Sequence, residues 1–253
     1  MVKSDLAREL TRSSSKKIDE KISSTNVVID EALSKKTGKP QGRYVTIESG
    51  AVVEGDASLY PRMAKAIADV LKTLAGDCKR VLTVGLGNRL LTADALGSLV
   101  LENLAVMNEC GDVVMQTLAP SVVGVTGIES YDVIRGVVDV VRPDAVFAVD
   151  SLCAAKVGRI ATSFQLCDAG ITPGSGVKNA RKPLNKQTLG VKVVSIGVPM
   201  VVYASTISLE GGGDNRFEED FVVTPKDVDV MVERCAKIIA DAINAYSTGS
   251  ALQ

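Results

Sequence analysis

Apolar residues recur at helical spacing over residues 59–74, where Met63, Ile67, Val70, Leu71 and Leu74 share one face, and this predicts a helix that closes near Gly76. The uncharged run Val81-Leu82-Thr83-Val84 follows and stops at a Gly-x-Gly-Asn turn, Gly85 to Asn88. Runs of this kind fill strands buried on both faces of a parallel sheet. A second helical pattern (Leu96, Leu99, Val100, Leu104, Met107) begins just after Thr92 and Asp94, so Thr92 reads as its N-cap and Asp94 as a first-turn residue. The alternation continues with a strand over 113–118. A helix over 128–141 follows, with Ile134, Val137, Val138 and Val141 on one face and Arg142-Pro143-Asp144 as its stop, and then a strand over 145–149 that ends at Asp150. Strand, helix, strand, helix, strand predicts an α/β fold: a three-layer, mostly parallel, doubly wound sheet with helices on both faces.

The flanks are less regular. Residues 1–42 are rich in Lys, Ser and Glu and read as a loosely attached arm, leaving 43–253 as a single domain. Residues 43–48 alternate and suggest an edge strand. Ile160, Thr162, Phe164 and Leu166 alternate with Ala161, Ser163 and Gln165, a strand with one less buried face that ends at Asp168. A glycine-rich loop occupies 170–182, further strands are expected over 191–197 and 198–204, and Gly211-Gly212-Gly213-Asp214 marks a break. Thr224-Pro225 has the form of an N-cap and N1 pair opening a last helix to about Tyr246.

Composition removes several chemistries. The chain has 253 residues, enough for one large core, and a net charge of −1, which gives no global field to recruit nucleic acid or an anionic membrane. There are no histidines, so Ser-His-Asp and Cys-His catalysis are excluded and any metal site would need carboxylates, thiols or carbonyls alone; no metal or other cofactor is assigned. Five scattered cysteines without C-x-x-C spacing read as reduced core thiols. Apolar runs are broken by Gly, Pro and polar residues and no secretory signal opens the chain, so the expectation is a cytoplasmic protein without a membrane partner.

Asp94, Asp150 and Asp168 all stand at predicted strand ends, where open α/β sheets build their sites. If the strands at 81–84 and 145–149 are neighbours, Asp94 and Asp150 meet in one crevice. Like charges at close range keep one proton between them, and such a pair can activate water and protonate an amide leaving group without histidine. The structural alternative gives Asp94 to its own helix's amides and Asp150 to a short helix beginning near Leu152. The Gly-x-Gly-Asn turn lacks the third glycine of a nucleotide-binding fingerprint. The 170–182 loop, with Lys178, Asn179, Arg181 and Lys182, is either an anion cradle or a solvated connection.

Five ordered blocks resemble the germination protease of spore-forming bacteria. They are Gly85-Leu86-Gly87-Asn88 with Thr92-x-Asp94-Ala95-Leu96-Gly97; Ala119-Pro120 with Gly124-x-Thr126-Gly127-Ile128-Glu129; Arg142-Pro143-Asp144 with Ala148-Val149-Asp150-Ser151-Leu152; Asp168-x-Gly170-Ile171-x-Pro173-Gly174-Ser175-Gly176-Val177; and Gly197-Val198-Pro199. The resemblance implies an aspartic-type endopeptidase of the spore core that initiates degradation of small acid-soluble spore proteins during germination. It implies a fold similar to hydrogenase-maturation endopeptidases and a homo-oligomer, a tetramer by family. The family's essential aspartates fall on Asp94 and Asp150. Those maturation enzymes also use a histidine to read nickel, and this chain has none.

The family also processes itself from a zymogen at an acidic residue followed by a large apolar one, Ala and, a little further on, Glu. Ser4-Asp5-Leu6-Ala7-Arg8-Glu9 resembles that site and implies a cut between Asp5 and Leu6. Asn88, Glu129 and Asp168, inside the shared blocks, are candidate substrate-binding residues. Lys178 and Arg181 join them by charge complementarity to an acidic substrate side chain. The chain departs from the family in length and at Tyr203, Thr172 and Lys178, where Asp, His and Gly are usual. The competing class is a non-catalytic or altered-specificity binding module that keeps the fold.

Overall fold

In the computed structural model, which describes residues 4–11, 13–106, 113–177, 179–213 and 221–249, the uncharged run at 81–84 lies inside a strand between two parallel neighbours. Strands β1 (Ser15–Lys17), β2 (Ser23–Ile29), β3 (Gly42–Glu48), β4 (Arg80–Gly85), β5 (Val114–Leu118), β6 (Ala145–Ala154), β7 (Ser163–Cys167), β8 (Lys192–Tyr203) and β9 (Val222–Val223) make one sheet. Its order is β1-β2-β3-β7-β8-β6-β4-β5, with β9 beside β8. The helices are α1 (Ala7–Leu10), α2 (Glu31–Thr37), α3 (Ala51–Glu54), α4 (Tyr60–Ala75), α5 (Leu96–Glu102), α6 (Val123–Thr126), α7 (Ser130–Val141), α8 (Lys186–Leu189), α9 (Ala204–Glu210) and α10 (Val228–Thr248).

The α/β fold with helices on both faces is present. The period of two along β6 separates its core contacts: Phe147 and Val149 belong to the cluster that takes in Met63, Ile67 and Leu71 of α4 and Ile239 and Ile243 of α10. Val146 and Ala148 point the other way, into the cluster of Ile134 and Val138 from α7 and Leu189 from α8. The wing from β5 to β8 is parallel; from β8 through β7, β3 and β2 to β1 the sheet is antiparallel. The parallel strands run in the order β5-β4-β6-β8, so the switch point falls between β4 and β6, and their carboxyl ends open on a crevice there.

Several expected boundaries move, each for a local reason. Residues 43–48 are not at an edge, because β3 lies between β2 and β7. The residues before 43 are not a loose arm: β1 and β2 extend the sheet, with Val27 and Ile29 buried. The two strands expected over 191–204 are one strand, β8, and Pro199 is tolerated inside it because β7 pairs β8 only at Ser195 to Gly197. Asp150 is inside β6 rather than at its end, and no helix begins at Leu152. Thr92 opens a short 3-10 turn and caps nothing with its side chain; α5 ends at Glu102, and Met107 lies outside the described residues. Thr224 likewise is no cap, since its hydroxyl donates to the Met200 carbonyl and α10 begins after Asp227.

Cys78, Cys153, Cys167 and Cys235 are buried and not disulfide-linked; Cys110 lies outside the described residues. Among the described residues no helix is long and apolar enough to cross a membrane. The short α8 depends on a capping box, in which the Asn185 side chain accepts from Thr188 N at 3.0 Å and Thr188 Oγ1 accepts from Asn185 N at 3.1 Å. Asn185→Ala is expected to cost about 1 kcal/mol, read as a lower urea midpoint with unchanged slope.

Candidate active site

The Gly85-Leu86-Gly87-Asn88 turn brings Asp94 back against the end of β4. Leu86 N–H still donates to the Val149 carbonyl (2.8 Å), so the chain runs one residue further along β6 before it turns. Gly87 turns it with φ +91°, and a Cβ there would lie 2.2 Å from the Asp94 carbonyl oxygen and 2.8 Å from Asp94 Oδ1. Only glycine combines that backbone angle with that approach. The Asp94 carboxylate accepts the Asn88 N–H at 2.7 Å, across the turn rather than from its own helix.

Asp150 reaches the same place from β6. Gly85 pairs with Val149 in parallel register, so Asp150 is the next residue beyond the end of β4. It is 6% exposed and accepts the Ser151 N–H at 3.0 Å. Burial, then the negative charges of Asp94 and Asp5, push its carboxyl well above the ordinary carboxylate range. Burial also raises Asp94, against a lowering by the Asn88 N–H. Both line a cleft of about 1580 Å³. A carboxyl that holds its proton beside one that can ionise is able to give a proton to an amide nitrogen and take one from water.

Another carboxylate in this cleft is Asp5. Its N–H donates to the Cys153 carbonyl (2.8 Å) and its Oδ2 accepts the Cys153 N–H (2.9 Å). Its Oδ1 accepts from Ser175 Oγ at 3.1 Å and faces Lys39 Nζ at 3.8 Å. A Cβ on Gly176 would fall 1.8 Å from Asp5 Oδ2, so the glycine loop is shaped to the carboxylate. Tyr203 holds that loop by donating its hydroxyl to the Gly176 carbonyl at 2.8 Å. Leu6 and Ala7 are fully buried, and Glu9 accepts the Ala155 N–H at 2.8 Å and the Ser4 hydroxyl. Ser4 and Asp5 thus line the cleft, and Leu6 and Ala7 after them are packed into the core.

The other candidates divide. Asn88 and Glu129 line the cleft, and so does Arg181, but Arg181 pairs with Glu129 at 3.3 Å and does not receive the Asp5 carboxylate. Lys178 lies outside the described residues. Asp168 does not line the cleft: β7 runs antiparallel to β8, so its end points away from the carboxyl ends of the parallel strands, and the Asp168 side chain accepts the Arg43 N–H at 2.7 Å. Lys39, Gln165 and Ser175 are the cleft residues that sequence reasoning missed. Gln165 had a signal, a large amide on the weakly polar face of β7; Lys39 had none. Among the described residues no group of three or more His, Cys, Asp or Glu side chains is arranged to hold a metal ion.

The family model described as germination protease matches residues 7–211. The germination protease of Caldanaerobacter subterraneus subsp. tengcongensis is 35% identical over 86% of this chain and 82% of its own length. That of Clostridium perfringens is 32% identical over 90% and 85%. The Bacillus velezensis germination protease is 45% identical over 68% of this chain, which spans only 51% of that longer relative. Among solved structures, the [NiFe] hydrogenase maturation protease HycI from Thermococcus kodakarensis KOD1 aligns over 69% of this chain and 98% of its own, with a TM-score of 0.42 and 24% identity. The family match includes Lys39, Asp94, Asp150, Gln165 and Ser175, the side chains gathered in the cleft, and this chain belongs to the germination protease family.

Proposed function

We propose that the chain is an endopeptidase that cuts after an acidic residue, with Asp94 and Asp150 as its catalytic pair and small acid-soluble spore proteins as its substrates. The observation that carries this reading is the seating of Asp5 in the cleft that the two aspartates line, with Leu6 beside it buried in the core. Asp5 is the acidic residue, Leu6 the large apolar one, Ala7 the small one, and Glu9 the second acid. Each meets a matching environment: a hydroxyl, an amide and an ammonium for Asp5, full burial for Leu6 and Ala7, and a backbone amide for Glu9. The pair carries one proton, held mainly by Asp150, and Asp94 accepts the proton of the attacking water. The chain is a zymogen that cuts itself between Asp5 and Leu6. The carboxylate receptor is Ser175 with the Cys153 amide and Lys39, not Arg181.

The test is incubation with a purified small acid-soluble spore protein, beside N-terminal sequencing of the protein itself as it ages. Wild type is expected to make discrete cuts after acidic residues and to acquire a new terminus at Leu6, and Asp94→Asn to do neither. Cuts that persist in Asp94→Asn would remove the aspartate pair. Wild type that binds the spore protein and leaves it whole would favour a binding module.

A further inference from the structure

Two donors converge on the carbonyl of the bond between Asp5 and Leu6. The Asp5 carbonyl oxygen accepts from Lys39 Nζ at 3.0 Å and from Gln165 Nε2 at 3.0 Å. The orientation of Gln165 is fixed by its other end, because its Oε1 accepts the Ala7 N–H at 2.7 Å and leaves Nε2 to face the Asp5 oxygen. Gln165 is 7% exposed, and a buried amide needs partners at both ends. Here residues 5–7 supply them, so a peptide laid in the same way is what this side chain is built to hold. Its position relative to the aspartates follows from register: Asp150 and Gln165 are both partners of Gly197, on either side of it. Register partners share a face, which puts Asp150 and Gln165 roughly 10 Å apart between Cα atoms, with the Leu152 side chain lying over Gly197 between them.

We propose that Lys39 and Gln165 are catalytic residues that hold the oxyanion formed on the carbonyl of the cleaved bond. The inference rests on the peptidase reading above. Water adds its oxygen to the Asp5 carbonyl carbon and gives a proton to Asp94. The π pair of the carbonyl moves onto its oxygen, which becomes an alkoxide facing the Lys39 ammonium and the Gln165 amide. Collapse restores the carbonyl, breaks the C–N bond and takes the proton of Asp150 onto the Leu6 nitrogen. Donors already aimed at an oxygen that gains charge stabilise the transition state more than the ground state.

Self-cleavage of the full chain, followed by mass as first-order conversion to a terminus at Leu6, reads the step directly. Cleavage of the synthetic peptide Ser-Asp-Leu-Ala-Arg-Glu separates kcat from KM. Lys39→Met and Gln165→Leu are each expected to slow self-cleavage and lower kcat by about 10²–10³-fold, with Lys39→Arg recovering part of the loss. Wild-type kcat in both variants, beside an inactive Asp94→Asn, would overturn the clamp and leave the aspartate pair standing. A change confined to KM would overturn it too. No cutting by wild type would overturn both readings. If thermal unfolding shows that Gln165→Leu does not fold, the Lys39 variants decide: equal kcat in Met and Arg overturns the proposal.

Discussion

Asp150→Asn is expected to lower peptide-bond cleavage by about 10²–10⁴-fold and, at neutral pH, to make the protein harder to unfold. The two effects have one cause. Asp150 is buried beside Asp94 and Asp5, so its folded-state pKa stands above the value of about 3.9 that an aspartate has in an unfolded chain. The folded state therefore binds this proton more tightly than the unfolded state does. The stability linked to it is fully present below the unfolded pKa and is lost as pH rises through the folded one. An amide never ionises, so the variant does not follow this decline. Urea unfolding across a pH series should show the two proteins diverging from about pH 4 upward, with the variant the more stable, and levelling off once Asp150 has ionised. Parallel curves would mean that the carboxyl is not strained by its surroundings, and the acid role assigned to it would go with that strain.

The second large effect is expected from a methyl group placed where backbone meets backbone. Gly97, in the first turn of α5, has no room for one: a Cβ there would be 2.5 Å from both Leu86 N and Leu86 O, and a Cβ on Gly85 would be 2.5 Å from the Gly97 carbonyl. No side chain stands in these contacts to swing aside, so Gly97→Ala must push α5 away from the end of β4. Overpacking of this kind costs about 1–3 kcal/mol, which denaturant unfolding will read. Asp94 lies just before α5 and is tied to the same turn through Asn88, so it moves with the helix. A displacement of about 1 Å in a catalytic group can cost 10²-fold in rate, and cleavage is expected to fall by about that much in protein that is still folded. Full activity in a destabilised Gly97→Ala protein would show that the Asp94 position tolerates movement.

The meeting of Asp94 and Asp150 was legible in the sequence only on the condition that their strands are neighbours: β4 and β6 read as buried strands of one parallel sheet, but α5, β5, α6 and α7 lie between them in the chain, and periodicity does not say on which side of β4 each later strand falls. The antiparallel wing was not legible. β2 reads Ser-Ser-Thr-Asn-Val-Val-Ile, and its buried positions include Thr25, so its pattern has no clear apolar face. The direction of β7 is invisible to periodicity, which is the same read either way, and Asp168 was assigned to the wrong end of the sheet for that reason. The seating of residues 4–9 depends on partners more than a hundred positions away, among them Cys153 and Gln165. Locally the segment is only a polar stretch with a leucine in it.

The tie between residues 4–9 and β1, a few positions on, sets how a foreign chain gains entry. A segment held this close by covalent linkage competes at an effective concentration of the order of millimolar, whatever the amount of protein in solution. Dilution does not weaken it, and a free polypeptide with equal contacts must approach that level to take its place. Severing the backbone after Asp5 turns only the part that ends at Asp5 into an ordinary solute; Leu6 to Glu9 stay joined to β1 and keep their advantage over an outside chain.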